Sequence, residues 1–203
     1  MSERRTPEEV RAIVSTVVDA VAAEPAPAPA PAPAPGREDA PAPSVEGRPS
    51  LTDVAVGADH GGFHLKQRIA AELRDHGFSV EDCGTEGPDS VDYPEYAHEV
   101  ARLVAKGACR WGIVVDGAGI GSAIAANKVP GVRAATCWDV SSARNSREHN
   151  HANVLALGAG LVGEALALQI VQAWLSTGWG GGRHARRVSL IERIERTYAR
   201  ATA

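Results

Sequence analysis

The 203-residue chain has no apolar run approaching the roughly 18 residues of a membrane-spanning helix, so no helical anchor is expected. Cysteine is scarce. Cys83, Cys109 and Cys137 show no CxxC spacing, which excludes a zinc knuckle or a disulfide framework and fits reduced thiols in the cytosol. Basic charge is not in excess either: 21 Lys+Arg stand against 25 Asp+Glu, a formal net charge of −4. That balance argues against sequence-independent nucleic-acid binding, which needs a basic stripe. What the chain does have is proline, concentrated in one place. Nine of its thirteen prolines fall between Pro25 and Pro49, in an Ala-Pro repeat that cannot build a core. Charge divides at the same point. Residues 1–50 hold five Lys/Arg and eight Asp/Glu; residues 51–203 hold sixteen and seventeen. The remainder from Leu51, about 150 residues, is enough for one domain with a sizeable interior. Three segments are therefore expected: residues 1–24, a linker over 25–50, and a domain over 51–203.

Residues 6–23 (TPEEVRAIVSTVVDAVAA) read as a helix. Thr6 suits the cap, Pro7 the first helical position, and Glu9 the carboxylate of a capping box. Val10, Ile13, Val14, Val17, Val18 and Val21 recur at helical spacing and form one apolar stripe. Acidic residues interrupt any continuous hydrophobic region of a secretory signal and exclude an organellar transit peptide. The alternating prolines that follow hold a semi-rigid extended conformation, so about 25 residues span up to ~75 Å. Two uses are open to such a helix on a stalk: docking on its own domain or a partner subunit, and docking to another protein, which the stalk favours. The pattern resembles the encapsulation peptides of bacterial microcompartments. That resemblance implies shell or cargo proteins as partners and a cytoplasmic location inside such a compartment.

From Leu51 onward, strand-like and helix-like patterns alternate. Strands are expected over residues 51–58, 78–83, 111–116, 133–138 and 154–157. Helices are expected over 62–76, 94–106, 121–128, 140–148, 163–175 and 185–198. This alternation predicts an α/β, Rossmann-like three-layer fold, a parallel sheet with helices on both faces. Ligands of such sheets bind beyond the carboxyl ends of the strands. There the sequence places Gly117-Ala118-Gly119-Ile120-Gly121-Ser122, whose successive backbone N–H groups suit an anion. A dinucleotide fingerprint is the rival reading. Against it, Ser122 replaces the third glycine and the loop follows the third strand rather than the first.

GADHGGFHLK (57–66), DYP (92–94), GAGIGSAIAANKVPGVRAA (117–135), SAR (142–144), REHNHANVLALG (147–158) and GGRHARRV (181–188) together resemble the type B ribose-5-phosphate isomerases, a family that includes the galactose-6-phosphate isomerase subunits. The resemblance spans residues 52–195. It implies aldose–ketose isomerisation of a phosphosugar through an enediolate, without metal or cofactor, in a homodimer or homotetramer whose sites are shared between subunits. It also implies roles. His149 corresponds to the ring-opening acid/base, and an imidazole titrating near neutrality suits that work. Asn150, Asp59 and His60 correspond to substrate contacts. The amides of Gly117, Ala118, Gly119, Ile120 and Gly121 correspond to an oxyanion cradle, and Arg183 and Arg187 to a phosphate clamp of planar guanidinium forks. His64, His76, His98 and His184 receive no catalytic role. His149-x-His151 has no carboxylate or thiol motif to complete a metal site.

Four positions depart from the pattern. Asp116 stands where the family carries a cysteine base, and Ser122 where a subgroup carries a glutamate. Ala118 replaces a hydroxyl residue, and Gly160 replaces an arginine. Asp116 is the expected proton-transfer base, since shielding from water raises a carboxylate's pKa; loop amides and a helix N-terminus act the other way. The alternative role for Asp116 is a helix cap, and the alternative function a catalytically silent phosphosugar-binding or scaffold subunit. The missing arginine and hydroxyl point to an altered pentose or deoxypentose phosphate.

Overall fold

The computed structural model describes residues 52–199. In chain order these form β1 (Thr52–Ala58), α1 (Phe63–Asp75), β2 (Val80–Asp82), α2 (Tyr93–Ala105), β3 (Cys109–Asp116), α3 (Ile120–Ala126), β4 (Ala134–Thr136), α4 (Val140–Glu148), β5 (Val154–Gly158), α5 (Glu164–Ser176) and α6 (Gly182–Ala199). The helix expected over residues 6–23 and the linker over 25–50 lie outside the described residues.

The five strands form one parallel sheet in the order β2-β1-β3-β5-β4. A parallel sheet is covered on both faces, so its inner strands need apolar residues at consecutive positions rather than alternate ones. Val54–Ala58, Ile113–Val115 and Val154–Leu157 are buried throughout. Their alternation then sorts the interior by size. Val54, Val56, Ile113, Val115, Leu155 and Leu157 pack with Ile69 of α1, Ala143 of α4, and Ile170 and Trp174 of α5. Ala55, Val114, Val154 and Ala156 pack on the other face with Val100 and Ala101 of α2 and Ala123 and Ala126 of α3. Small side chains let α2 approach the sheet closely, and a Cβ placed on Gly112 would lie 2.6 Å from Val100 Cγ1. Gly112→Ala is therefore expected to destabilise the domain by about 1–3 kcal/mol through overpacking. Urea denaturation checks this, and an unchanged midpoint would show that α2 can retreat freely.

The α/β, Rossmann-like expectation matches this architecture, with differences at element ends. The edge strands β2 and β4 are only three residues long, shorter than their apolar patterns, because each pairs on one side alone. β3 starts two residues early at Cys109, where Thr52 provides a partner across the ladder. α6 begins at Gly182, three residues before its expected start, since glycine's low helix propensity hides the first turn from a pattern reading.

All strand ends that lead into helices lie on one edge of the sheet. The neighbouring strands β1 and β3 are followed by α1 and α3, which pack on opposite faces. The two connecting loops therefore part and leave a crevice, where α/β sheets bind ligands.

Candidate active site

The loop leaving β3 is organised by its first residue. Asp116 is buried, and its carboxylate accepts N–H bonds from Ala118 (2.7 Å), Gly119 and Ser122 (2.9 Å). Gly119 adopts φ +76°, and a Cβ there would fall 2.8 Å from the Leu157 carbonyl carbon, so only glycine fits. Two opposing effects act on Asp116. Burial raises its pKa, but the hydrogen bonds from Ser122, Gly119 and Ala118 outweigh it and hold the carboxyl below the ordinary carboxylate range. The free chain thus carries an anion of its own in the Gly-rich loop, and the expected strengthening of Asp116 as a base by burial does not occur in that state. Ser122, at the third glycine's place in a dinucleotide fingerprint, commits its N–H to the same carboxylate.

Across the crevice, β1 delivers Asp59 and His60. Asp59 is buried; its N–H donates to Val115 O (3.2 Å) and its Oδ1 accepts from Gly62 N–H (3.0 Å). The exposed His60 accepts the Val91 N–H at Nδ1 (3.2 Å), which aligns the ring with the loop before α2. At the base of the crevice the two loops approach at Gly61 and Gly117, where a Cβ on Gly61 would sit 3.4 Å from Asp59 Oδ1 and 3.6 Å from Gly117 N. Gly160, after β5, donates its N–H to Gly117 O (2.9 Å), and a Cβ there would press on that oxygen at 3.0 Å. Tyr93 closes the other side, with its ring against Gly121.

A second group forms where α4 ends. His149 is the C-terminal cap of α4, and its Nδ1 lies 2.8 Å from Asn145 Nδ2 and its Nε2 3.8 Å from Glu148 Oε1. Its ring stacks on His184 of α6. Arg183 and Arg187, one turn apart on α6, are exposed, and neither has a carboxylate partner among the described residues. Asn150 lines an open cavity of about 1330 Å³ between α6 and the β4–α4 region, together with Ser142, Arg133, Ile191, Ile194 and Tyr198. His151 turns away from His149 and stacks on Trp179 at 4.7 Å, so the two histidines do not converge.

The structure thus gathers the expected site residues into two groups. Asp59, His60, Asp116 and Gly117–Gly121 form one; His149, Asn150, Arg183 and Arg187 form the other. No hydrogen bond or ion pair joins the groups among the described residues. The sequence expectations missed Tyr93 and His184. Both lie inside motifs already quoted, DYP and GGRHARRV, but only the fold shows what each one touches. Cys83, Cys109 and Cys137 are free thiols away from the loop; burial, reinforced by Glu99, pushes Cys83 up to about 12.

The fold and the site together define an α/β domain with an anion-holding loop at the carboxyl end of β3 and imidazole and guanidinium groups gathered where α4 ends. Residues 54–191 match the ribose/galactose isomerase family, and the chain belongs to it. It is 48% identical to ribose-5-phosphate isomerase B of Escherichia coli K12 over 145 residues, 71% of this chain and 97% of that protein. Among solved structures it is similar to Clostridium thermocellum ribose-5-phosphate isomerase B (53% identity, TM-score 0.71, covering 72% of this chain and 99% of that one). It is also similar to Mycoplasma genitalium ribose-5-phosphate isomerase B with bound ribulose-5-phosphate (37% identity, TM-score 0.69, covering 71% and 96%).

Proposed function

We propose that this chain is an aldose–ketose isomerase that interconverts ribose 5-phosphate and ribulose 5-phosphate, or a closely related pentose phosphate, through an enediolate. The observation that carries the reading is the carboxylate of Asp116 seated on three N–H groups of the Gly-rich loop, which marks the loop as a built oxyanion receptor. The relatives' names supply the substrate class.

In this reading Arg183 and Arg187 hold the phosphate. His149 opens the sugar ring by passing a proton between the ring oxygen and the C1 hydroxyl, and Asn150, Asp59 and His60 orient the chain. Asp116 takes the proton that moves between C1 and C2. Its hydrogen bonds set how this works. As the carbon-bound proton arrives, Asp116 becomes neutral and negative charge appears on the enediolate oxygen, so the loop N–H groups transfer from one anion to the other. The net charge in the cradle stays constant, and the base strengthens as its donors leave.

The two residue groups meet across an interface between two copies of the chain, as a homodimer or a pair of such dimers. Supporting this are the exposed apolar side chains Ile120 and Ile124 on α3 and Leu190, Ile191, Ile194 and Tyr198 on α6. The cavity beneath α6 is a seat of matching character. No helix among the described residues is long and apolar enough to cross a membrane. We place the protein in the cytoplasm. Residues 1–24 dock it to shell or cargo proteins of a microcompartment, a role supported by their apolar stripe. A reporter fused to residues 1–50 is expected to co-purify with shell proteins, and a diffuse reporter would return the segment to a subunit-docking role.

The activity is tested by incubating the full chain with a panel of pentose and hexose phosphates and following ketose formation. Turnover on a pentose 5-phosphate is expected. Binding without turnover on any sugar would instead identify a silent phosphosugar-binding subunit. Dinucleotides that raise the melting temperature more than phosphosugars would overturn both.

A further inference from the structure

His184 lies between the proposed phosphate clamp and the proposed ring-opening imidazole. Its ring is parallel to that of His149, with centroids 4.2 Å apart and an interplanar angle of 5°. It is only 8% exposed, so it has little freedom to leave. Arg183 Nε donates to His184 Nε2 at 3.4 Å. A guanidinium can only donate, so Nε2 carries the lone pair and the ring is neutral with its proton on Nδ1. Asn145 fixes the other side of the pair through its contact with His149 Nδ1. The charged groups facing the two rings are Glu148 from α4 and Arg183 and Arg187 from α6.

We propose that His184 is a positioning residue: its neutral imidazole holds the His149 ring in plane and conveys to it whether Arg183 and Arg187 are occupied by phosphate. The chain of effects is electrostatic. A phosphate dianion held by Arg183 and Arg187 places negative charge beside the stacked rings, which favours a proton on His149 when substrate is present to receive it. The lowered proton affinity of His184, caused by burial and then by His149, Arg183 and Arg187, keeps the platform neutral throughout. The kinetic part of this proposal rests on the isomerase reading; the linkage part does not.

The test uses the full chain with isotope-labelled histidine, following His149 across pH with and without inorganic phosphate. His149→Gln assigns its resonance. Phosphate is expected to move the His149 midpoint upward in wild type, and less in His184→Ala and His184→Phe. In turnover, ribose 5-phosphate must be ring-opened, whereas ribulose 5-phosphate, with its O5 esterified, is already open-chain. His184→Ala is expected to lower kcat from ribose 5-phosphate about tenfold through misplacement of His149. KM should change less than about twofold, and loss from ribulose 5-phosphate should be smaller. His184→Phe, which keeps a flat stacking surface, is expected to restore most of the kcat. A phosphate-induced shift as large in His184→Ala as in wild type overturns the linkage. Unchanged kinetics, or equal losses in both directions that His184→Phe does not restore, overturn the positioning role. A wild-type chain inactive on both sugars sinks the isomerase reading, and the titration still decides the linkage.

Discussion

Chains carrying Asp59→Asn and chains carrying His149→Asn, each inactive alone, are expected to regain about one quarter of wild-type turnover when co-expressed in equal amounts. The figure follows from a two-fold arrangement in which every site takes one residue group from each copy. Random pairing makes half of the dimers mixed, and in each mixed dimer one site carries both substitutions while the other carries neither. The prediction grows out of the separation between the Asp59 loop and the end of α4, and out of the apolar side chains that α3 and α6 leave exposed. If each chain held a complete site, the mixture would stay as inactive as its parts. Light scattering on the same sample should give at least a dimer, and a monomer that turns over substrate would remove the shared-site arrangement.

Replacing Asp116 by Asn is expected to lower kcat by about 10²- to 10⁴-fold, the usual worth of a positioned proton acceptor, with the fold retained. Asparagine keeps one oxygen for the Ala118 and Gly119 N–H groups but loses the acceptor for Ser122. Turnover close to wild type would reduce Asp116 to a loop cap and move proton transfer elsewhere. The variant carries a second signature in its stability. The Asp116 pKa is lower in the folded chain than in the unfolded one, where it returns to about 3.9. A depressed carboxyl stabilises the fold fully above its unfolded value, and that contribution disappears as pH falls through the folded value. Wild type is therefore expected to exceed Asp116→Asn in urea resistance at pH 7 and to lose this margin below about pH 4. A margin that is the same at pH 7 and pH 3 would mean the carboxylate gains nothing from its three donors.

Most of the fold was legible because its information is local. Runs such as VAV at 54–56 and IVV at 113–115 read as strands buried on both faces, and glycines at 77 and 107 end the helices before them. The edges read less well. Phe78–Cys83 has the composition of a six-residue strand, yet a strand paired on one side keeps only Val80–Asp82 in the ladder. At the site, residue types and spacing point to the Gly-rich loop, whereas the two arginines of α6 are singled out only by the family resemblance. The charge state of Asp116 was not readable. It depended on whether burial or three amides prevailed, and only the loop geometry decides between effects of opposite sign. His184 is hidden from a sequence reading for a related reason: stacking on His149 joins residues 35 positions apart through two helices whose mutual placement has no sequence signature.

The floor of the crevice is made of main chain. Gly160 N–H binds Gly117 O, Gly119 lies against the Leu157 carbonyl, and a Cβ on Gly158 would fall 2.6 Å from the Ala118 carbonyl carbon. A floor of this kind presents the same donors and acceptors whatever side chains surround it. Side-chain changes at positions such as 93 and 118 would therefore alter the walls of the crevice and leave these main-chain donors and acceptors in place.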